Sequence, residues 1–159
     1  MKAYRILPMS ILGIVIVAID QLTKFLVVKY MDYGASIPII DNFLSITSHR
    51  NEGAAWGMLE GKMWLFYIIT VFVIIMLLFF YKKEAKNDLL LQISLTLLIA
   101  GAFGNFIDRV LFQKVVDMID TMIFSYDFPI FNVADSSLTI GVILMIIQIF
   151  SERGEANGN

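Results

Sequence analysis

Four stretches of this chain are apolar over enough consecutive residues to cross a lipid bilayer, and no other feature restricts its fold as strongly. A hydrocarbon core of about 30 Å takes roughly 20 helical residues to span. The stretches run from about Ile6 to Val28, Met63 to Tyr81, Leu89 to Ile107 and about Asn132 to Phe150. Hydrophobic residues make up 58% of the chain and charged residues only 16%, where a soluble domain carries about a quarter charged. These runs predict an all-α polytopic membrane protein, one membrane-embedded domain over residues 1–159, with four transmembrane helices. Lys2 and Arg5 ahead of the first run imitate a secretory signal. No convincing cleavage site follows and three further spans do, so the first run is read as a retained helix.

The connections are unequal. Spans two and three are joined by Tyr81–Asp88, too short for anything but a hairpin between antiparallel neighbours. Lys82, Lys83 and Lys86 lie in it, and Lys2, Arg5 and Arg153 fall on the same side. That density of positive charge in short segments predicts a cytoplasmic face holding both termini. The opposite side receives two longer loops, about 29–62 and 108–131. In the first, Ser36–Ile40 and Phe43–Thr47 are short β-branched and aromatic runs broken by Pro, Asp-Asn and Gly, as in a small sheet. The second, around Val115–Asp120 and Phe128-Pro129, is apolar enough to lie along the membrane surface.

Some chemistry is excluded outright. Cysteine is absent, which removes disulfides, thiolate metal sites, a cysteine nucleophile and cysteine lipidation of this chain. No basic tract with interleaved aromatics is present, so nucleic acid is not expected as a partner.

Ionisable residues in or beside a span are costly and mark candidate sites. Asp20 and Lys24 are four apart on one helical face, as an ion pair would be. Asn105, Asp108 and Arg109 close the third span at spacings that let all three look into one cavity, either as catalytic groups or as an interfacial charge pair with Asn105 bonded to a neighbouring helix. Gly101, Ala102 and Gly104 beside them permit close helix packing. The last cluster is Asp117 with Asn132-Val133-Ala134-Asp135. Asn132 is placed as an N-cap and Asp135 at the third helical position, where the positive helix end favours a carboxylate. Capping does not account for Asp117, which stands in the apolar run Val115-Val116-Asp117-Met118-Ile119 and would be costly to bury unpartnered.

Two carboxylates sharing one proton can perform aspartyl peptidase chemistry, one ionised to take a proton from water and one protonated to hydrogen-bond the scissile carbonyl. Spacing leaves other readings open. The carboxylates could bind a divalent cation for metal-assisted hydrolysis, or form a proton relay with Asp20 and Asp108 in a small carrier. Ser136 or Ser137 could act as nucleophile with His49 or Lys114 as base.

The motifs Asp20-Gln21-Leu22-Thr23-Lys24, Asn51-Glu52-Gly53-Ala54-Ala55-Trp56, Gly101–Arg109, Val115–Ile119 and Phe128–Ser136 occur in that order. Together they resemble the lipoprotein signal peptidases of bacteria, also called signal peptidase II, over nearly the whole chain. The resemblance implies a four-helix membrane aspartyl peptidase with a small extracytoplasmic β-sheet cradle, a short surface helix and an active site near the outer face of the bacterial cell membrane. It implies Asp117 and Asp135 as the catalytic pair. Asp20, Lys24, Asn51, Gly53, Asn105, Asp108, Arg109, Asn132 and Ala134 would line or support the site. The implied substrates are diacylglyceryl-modified prolipoproteins, cut just before the lipidated cysteine, with membrane lipid the other partner, no metal or cofactor, and a monomeric enzyme. Trp56 stands where the family more usually has phenylalanine. A substrate entering sideways from lipid needs a cover, for which the segment after Asp117 is a candidate lid, with Trp56 near the lipid.

Overall fold

A computed structural model describes residues 4–53, 62–124 and 126–157, with side chains up to residue 151. The element order is α1 (Ile6–Tyr30), β1 (Ser36–Ile40), β2 (Leu44–Asn51), α2 (Met63–Glu84), α3 (Leu89–Phe112), β3 (Val115–Ile123), β4 (Tyr126–Phe131) and α4 (Val133–Asn157). All four helices are long and apolar enough to span a membrane. With no water in the hydrocarbon core, a lone segment satisfies its backbone there only as a helix.

The bundle is built on α3. Its buried side carries Leu95, Leu98, Ala100, Gly101 and Gly104, whereas α2 has no buried residue and shows large side chains such as Ile68, Phe72 and Phe79 outward, as lipid-facing helices do. Small residues set the contact between α3 and α4. A Cβ on Gly101 would lie 2.5 Å from the Ala134 carbonyl oxygen, and one on Gly141 would lie 2.9 Å from the Leu98 side chain. Backbones that approach this closely replace the absent hydrophobic drive with dispersion and short polar contacts. Two such contacts are the Ser94 hydroxyl donating to the Gly141 carbonyl at 2.8 Å and the Ser137 hydroxyl to the Leu97 carbonyl at 2.8 Å.

The two long loops meet in one antiparallel sheet of order β1-β2-β3-β4. This departs from the expectation for 108–131. That segment does not lie free along the membrane as a lid: β3 is an inner strand paired on both sides. Its β-branched, period-2 run explains why. Val116 and Met118 alternate to one face and pack on Val27 of α1, while Val115 and Asp117 turn to the other. Gln113, in the left-handed region at φ 57°, stops α3 and redirects the chain into β3. A short surface helix is not found among the described residues. Trp56 and the rest of 54–61 lie outside them.

Candidate active site

At the sheet-bearing end of the bundle, β2, β3, β4 and the ends of α3 and α4 enclose a cavity of about 1090 Å³. Asn51, Gly53, Asn105, Arg109, Asp117 and Asp135 all line it. Each arrives by a different local rule. His49 pairs with Asp117 across β2 and β3, and Asn51 pairs with Val115. Asn51 is therefore diagonal to Asp117, within side-chain reach, and its amide donates to Asp117 Oδ2 at 3.1 Å. The Asn51 Oδ1 accepts from the Gly53 N–H at 2.9 Å, which fixes the amide's direction.

Asp135 is placed by the start of α4. Asn132 Oδ1 accepts from the Asp135 N–H at 2.9 Å, and Asp135 Oδ2 accepts from the Asn132 N–H at 3.2 Å. This reciprocal arrangement is a capping box. The expected N-cap therefore forms, but its side chain does more than cap. Asn132, fully buried, also donates from Nδ2 to Asp117 Oδ1 at 2.7 Å and to Asn105 Oδ1 at 3.0 Å. Asn105 in turn donates to Asp135 Oδ1 at 2.7 Å. One asparagine thus binds both carboxylates, and a second ties its carbonyl oxygen back to the first.

Asp117 is 2% exposed. Burial pushes its carboxyl up from the ordinary 3.8 to about 7, and the nearby Asp135 adds to the rise against the opposing hydrogen bonds from Asn51 and Asn132 and the charge of Lys24. It is a carboxyl poised to hold or release a proton near neutrality.

Beneath the cavity is a buried charge cluster. Lys24 reaches Asp20 at 2.8 Å, Asp108 at 3.1 Å and Asn105 Oδ1 at 3.0 Å. Asp20 also accepts from the Ala134 N–H at 2.9 Å, capping the first turn of α4 from a residue far away in sequence. The ion pair read from the sequence is present, and its task is to hold α1, α3 and α4 together. Asp108 corrects another expectation. It does not line the cavity with Asn105 and Arg109; its Oδ2 accepts from the Val116 N–H at 3.1 Å and it is buried on the Lys24 side. Spacings of three and four fall on opposite flanks of Asn105, so one residue faces the cavity and the other the bundle.

Arg109 stands over the Phe66 ring at 4.7 Å, and its carbonyl accepts from the Tyr67 hydroxyl at 2.8 Å. Gln21 has a role that its place in the first motif does not reveal. Its amide donates to Asp108 at 2.9 Å, Asp20 at 3.1 Å and the Gly104 carbonyl at 3.2 Å, and only its position next to Asp20 could have drawn attention to it. The serine readings find no support in the contacts. Ser137 bonds the Leu97 carbonyl, Ser136 bonds the Asn132 carbonyl at 2.9 Å, and Lys114 forms an exposed pair with Glu52. His49 does line the cavity, opposite Asp117. Nor do the acidic residues form a relay through the bilayer: Asp20, Asp108, Asp117 and Asp135 gather at one end.

A profile of the family described as signal peptidase (SPase) II matches residues 12–151. Two solved structures, each of a bacterial membrane enzyme studied by the in meso method, superpose closely. The one at 2.3 Å resolution is 52% identical with a TM-score of 0.93, covering 97% of this chain and 94% of its own. The one at 1.9 Å resolution is 55% identical with a TM-score of 0.87, covering 93% of this chain and 96% of its own. With a buried and a half-buried carboxylate joined through one asparagine in a membrane-embedded bundle, this chain belongs to the signal peptidase II family, the bacterial aspartic-type peptidases that cleave lipoprotein signal peptides.

Proposed function

We propose that Asp117 and Asp135 are the catalytic pair and that they cut diacylglyceryl-modified prolipoproteins just before the lipidated cysteine, using a water held between them. The observation that carries the reading is Asn132, whose side-chain Nδ2 donates to the Asp117 carboxyl while its backbone N–H donates to the Asp135 carboxyl and its Oδ1 accepts from the Asp135 N–H. Asp117 supplies the proton-bearing carboxyl that the reaction needs near neutral pH. Asp135, at the N-terminus of α4, is the ionised partner, since the helix end favours negative charge there.

The steps balance on these two groups. Asp135 takes a proton from water as its oxygen attacks the carbonyl carbon, and Asp117 gives its proton to the carbonyl oxygen. The resulting diol collapses when Asp135 returns its proton to the leaving amide nitrogen and Asp117 regains one from the diol hydroxyl. Asn51, Asn105 and Asn132 orient the two carboxyls, and Arg109 faces the same cavity. Gly53 keeps the turn that aims Asn51, while Asp20, Lys24, Asp108 and Ala134 hold α4, which carries Asp135, and β3, which carries Asp117, against the bundle.

In this reading the sheet-bearing end is extracytoplasmic, both termini are cytoplasmic, and the chain works as a monomer on substrate arriving through lipid. The test is mass analysis of both products after incubation with a diacylglyceryl-modified prolipoprotein. The expected new N-terminus is the lipidated cysteine; cleavage elsewhere, or equally fast cleavage of the unlipidated precursor, would overturn the reading.

A further inference from the structure

A second recess runs through the membrane-spanning part, away from the peptidase cavity. α1 and α2 each pack on α3 and leave between them a groove of about 660 Å³. Met9, Gly13 and Ala18 of α1, Leu78 of α2, and Ile99 and Phe103 of α3 are among its walls. It follows α1 from Ile6 to Gln21, about 15 residues or roughly 22 Å at about 1.5 Å each. Its walls are largely apolar side chains, and its length suits one extended hydrocarbon chain.

One end is polar and basic. The Tyr81 hydroxyl there is buried and has no hydrogen-bond partner among the described residues. Its ring stacks on Tyr4 at 6.0 Å. Arg5 directly precedes Ile6 and Lys82 directly follows Tyr81; both are exposed, and neither forms an ion pair among the described residues. An apolar groove that ends beside two exposed, unpaired cations matches a lipid tail joined to a phosphate.

We propose that this groove binds one acyl chain of an anionic phospholipid, with the headgroup phosphate at the Tyr81 end beside Arg5 and Lys82. The site is independent of the peptidase cavity, although Gln21 at its far end also bonds Asp20 and Asp108. A seated chain would therefore back the helix surface that positions the buried cluster.

Native mass spectrometry of the delipidated full-length protein in detergent tests this, titrating phosphatidylglycerol and, separately, phosphatidylcholine with the same acyl chains. One phosphatidylglycerol should be retained, at least about tenfold more tightly than phosphatidylcholine. Ala18→Trp and Leu78→Trp, which fill the groove from opposite walls, should each weaken retention about tenfold or more. The double variant Arg5→Gln with Lys82→Gln, at exposed positions outside the groove, should abolish the preference for the anionic lipid, and it carries the test should a tryptophan disturb folding. Failure of the wild type to retain phosphatidylglycerol, equal binding of both lipids, or unchanged retention in a folded tryptophan variant would overturn the proposal. So would a dimer that either tryptophan variant dissolves, since a second copy would then be the occupant.

Discussion

Replacing Asp117 with asparagine should make the protein more stable above neutral pH while removing its activity. The wild-type carboxyl is held near 7 against an ordinary 3.8, chiefly by burial. Between those values the native state keeps a proton that the unfolded chain has already lost, so stability falls as pH rises through that window. At about 1.4 kcal/mol per pH unit, the full rise corresponds to roughly 4 kcal/mol. The contribution is intact below pH 4 and gone once pH passes 7. The substituted asparagine has no proton to lose, and its amide fits between the donors on Asn51 and Asn132 only with one of them turned, a smaller cost of about 1 kcal/mol. The assay is thermal unfolding in detergent at pH 5, 7 and 9 for both proteins. The difference should change in favour of Asp117→Asn by several degrees between pH 5 and pH 9, at roughly 2–4 °C per kcal/mol for a chain of this size. A difference that stays constant with pH would refute the argument that Asp117 is an acid raised by burial.

Other outcomes follow from the same contacts. Lys24→Met leaves Asp20 and Asp108 buried without their cation, so it should destabilise by about 3–5 kcal/mol, and adding Asp108→Asn should recover part of that loss in chemical unfolding. Gly104→Ala would put a Cβ 2.7 Å from Asp20 Oδ2 and 3.2 Å from the Ala134 side chain; it should lower the unfolding midpoint and the turnover together, because Asp20 caps the turn that carries Asp135. Excess chelator should leave turnover unchanged if the two carboxylates act without a divalent cation, and loss of activity restored by that cation would favour the metal-assisted alternative.

The four spans were legible because a bilayer demands uninterrupted apolar length, and that demand is written directly in composition along the chain. Their ends were less so. α3 continues past Ile107 to Phe112, since Asp108 and Arg109 find partners inside the protein and do not halt the helix. The first loop's short β-branched runs announce strands, but the second loop's Val115–Asp120 reads by its apolar character as a segment lying along the membrane surface. Its alternation has two buried faces, one on Val27 and one on the cavity, so polar residues do not mark the period. Asp117 stood out as a carboxylate in apolar surroundings, and Asn132 as a cap. That Asn132 would also reach Asp117, or that Asp20 would cap α4, depends on how distant helices meet, and nothing local encodes it. The turn of Asp108 away from the cavity has the same origin.

Turnover of a purified diacylglyceryl-modified prolipoprotein by wild type, Asp117→Asn and Asp135→Asn tests the proposed dyad most directly. Each substitution keeps the side-chain shape and removes the ionisable group, so both variants should remain folded and lose nearly all signal-peptide release. Either one working at the wild-type rate would contradict the account.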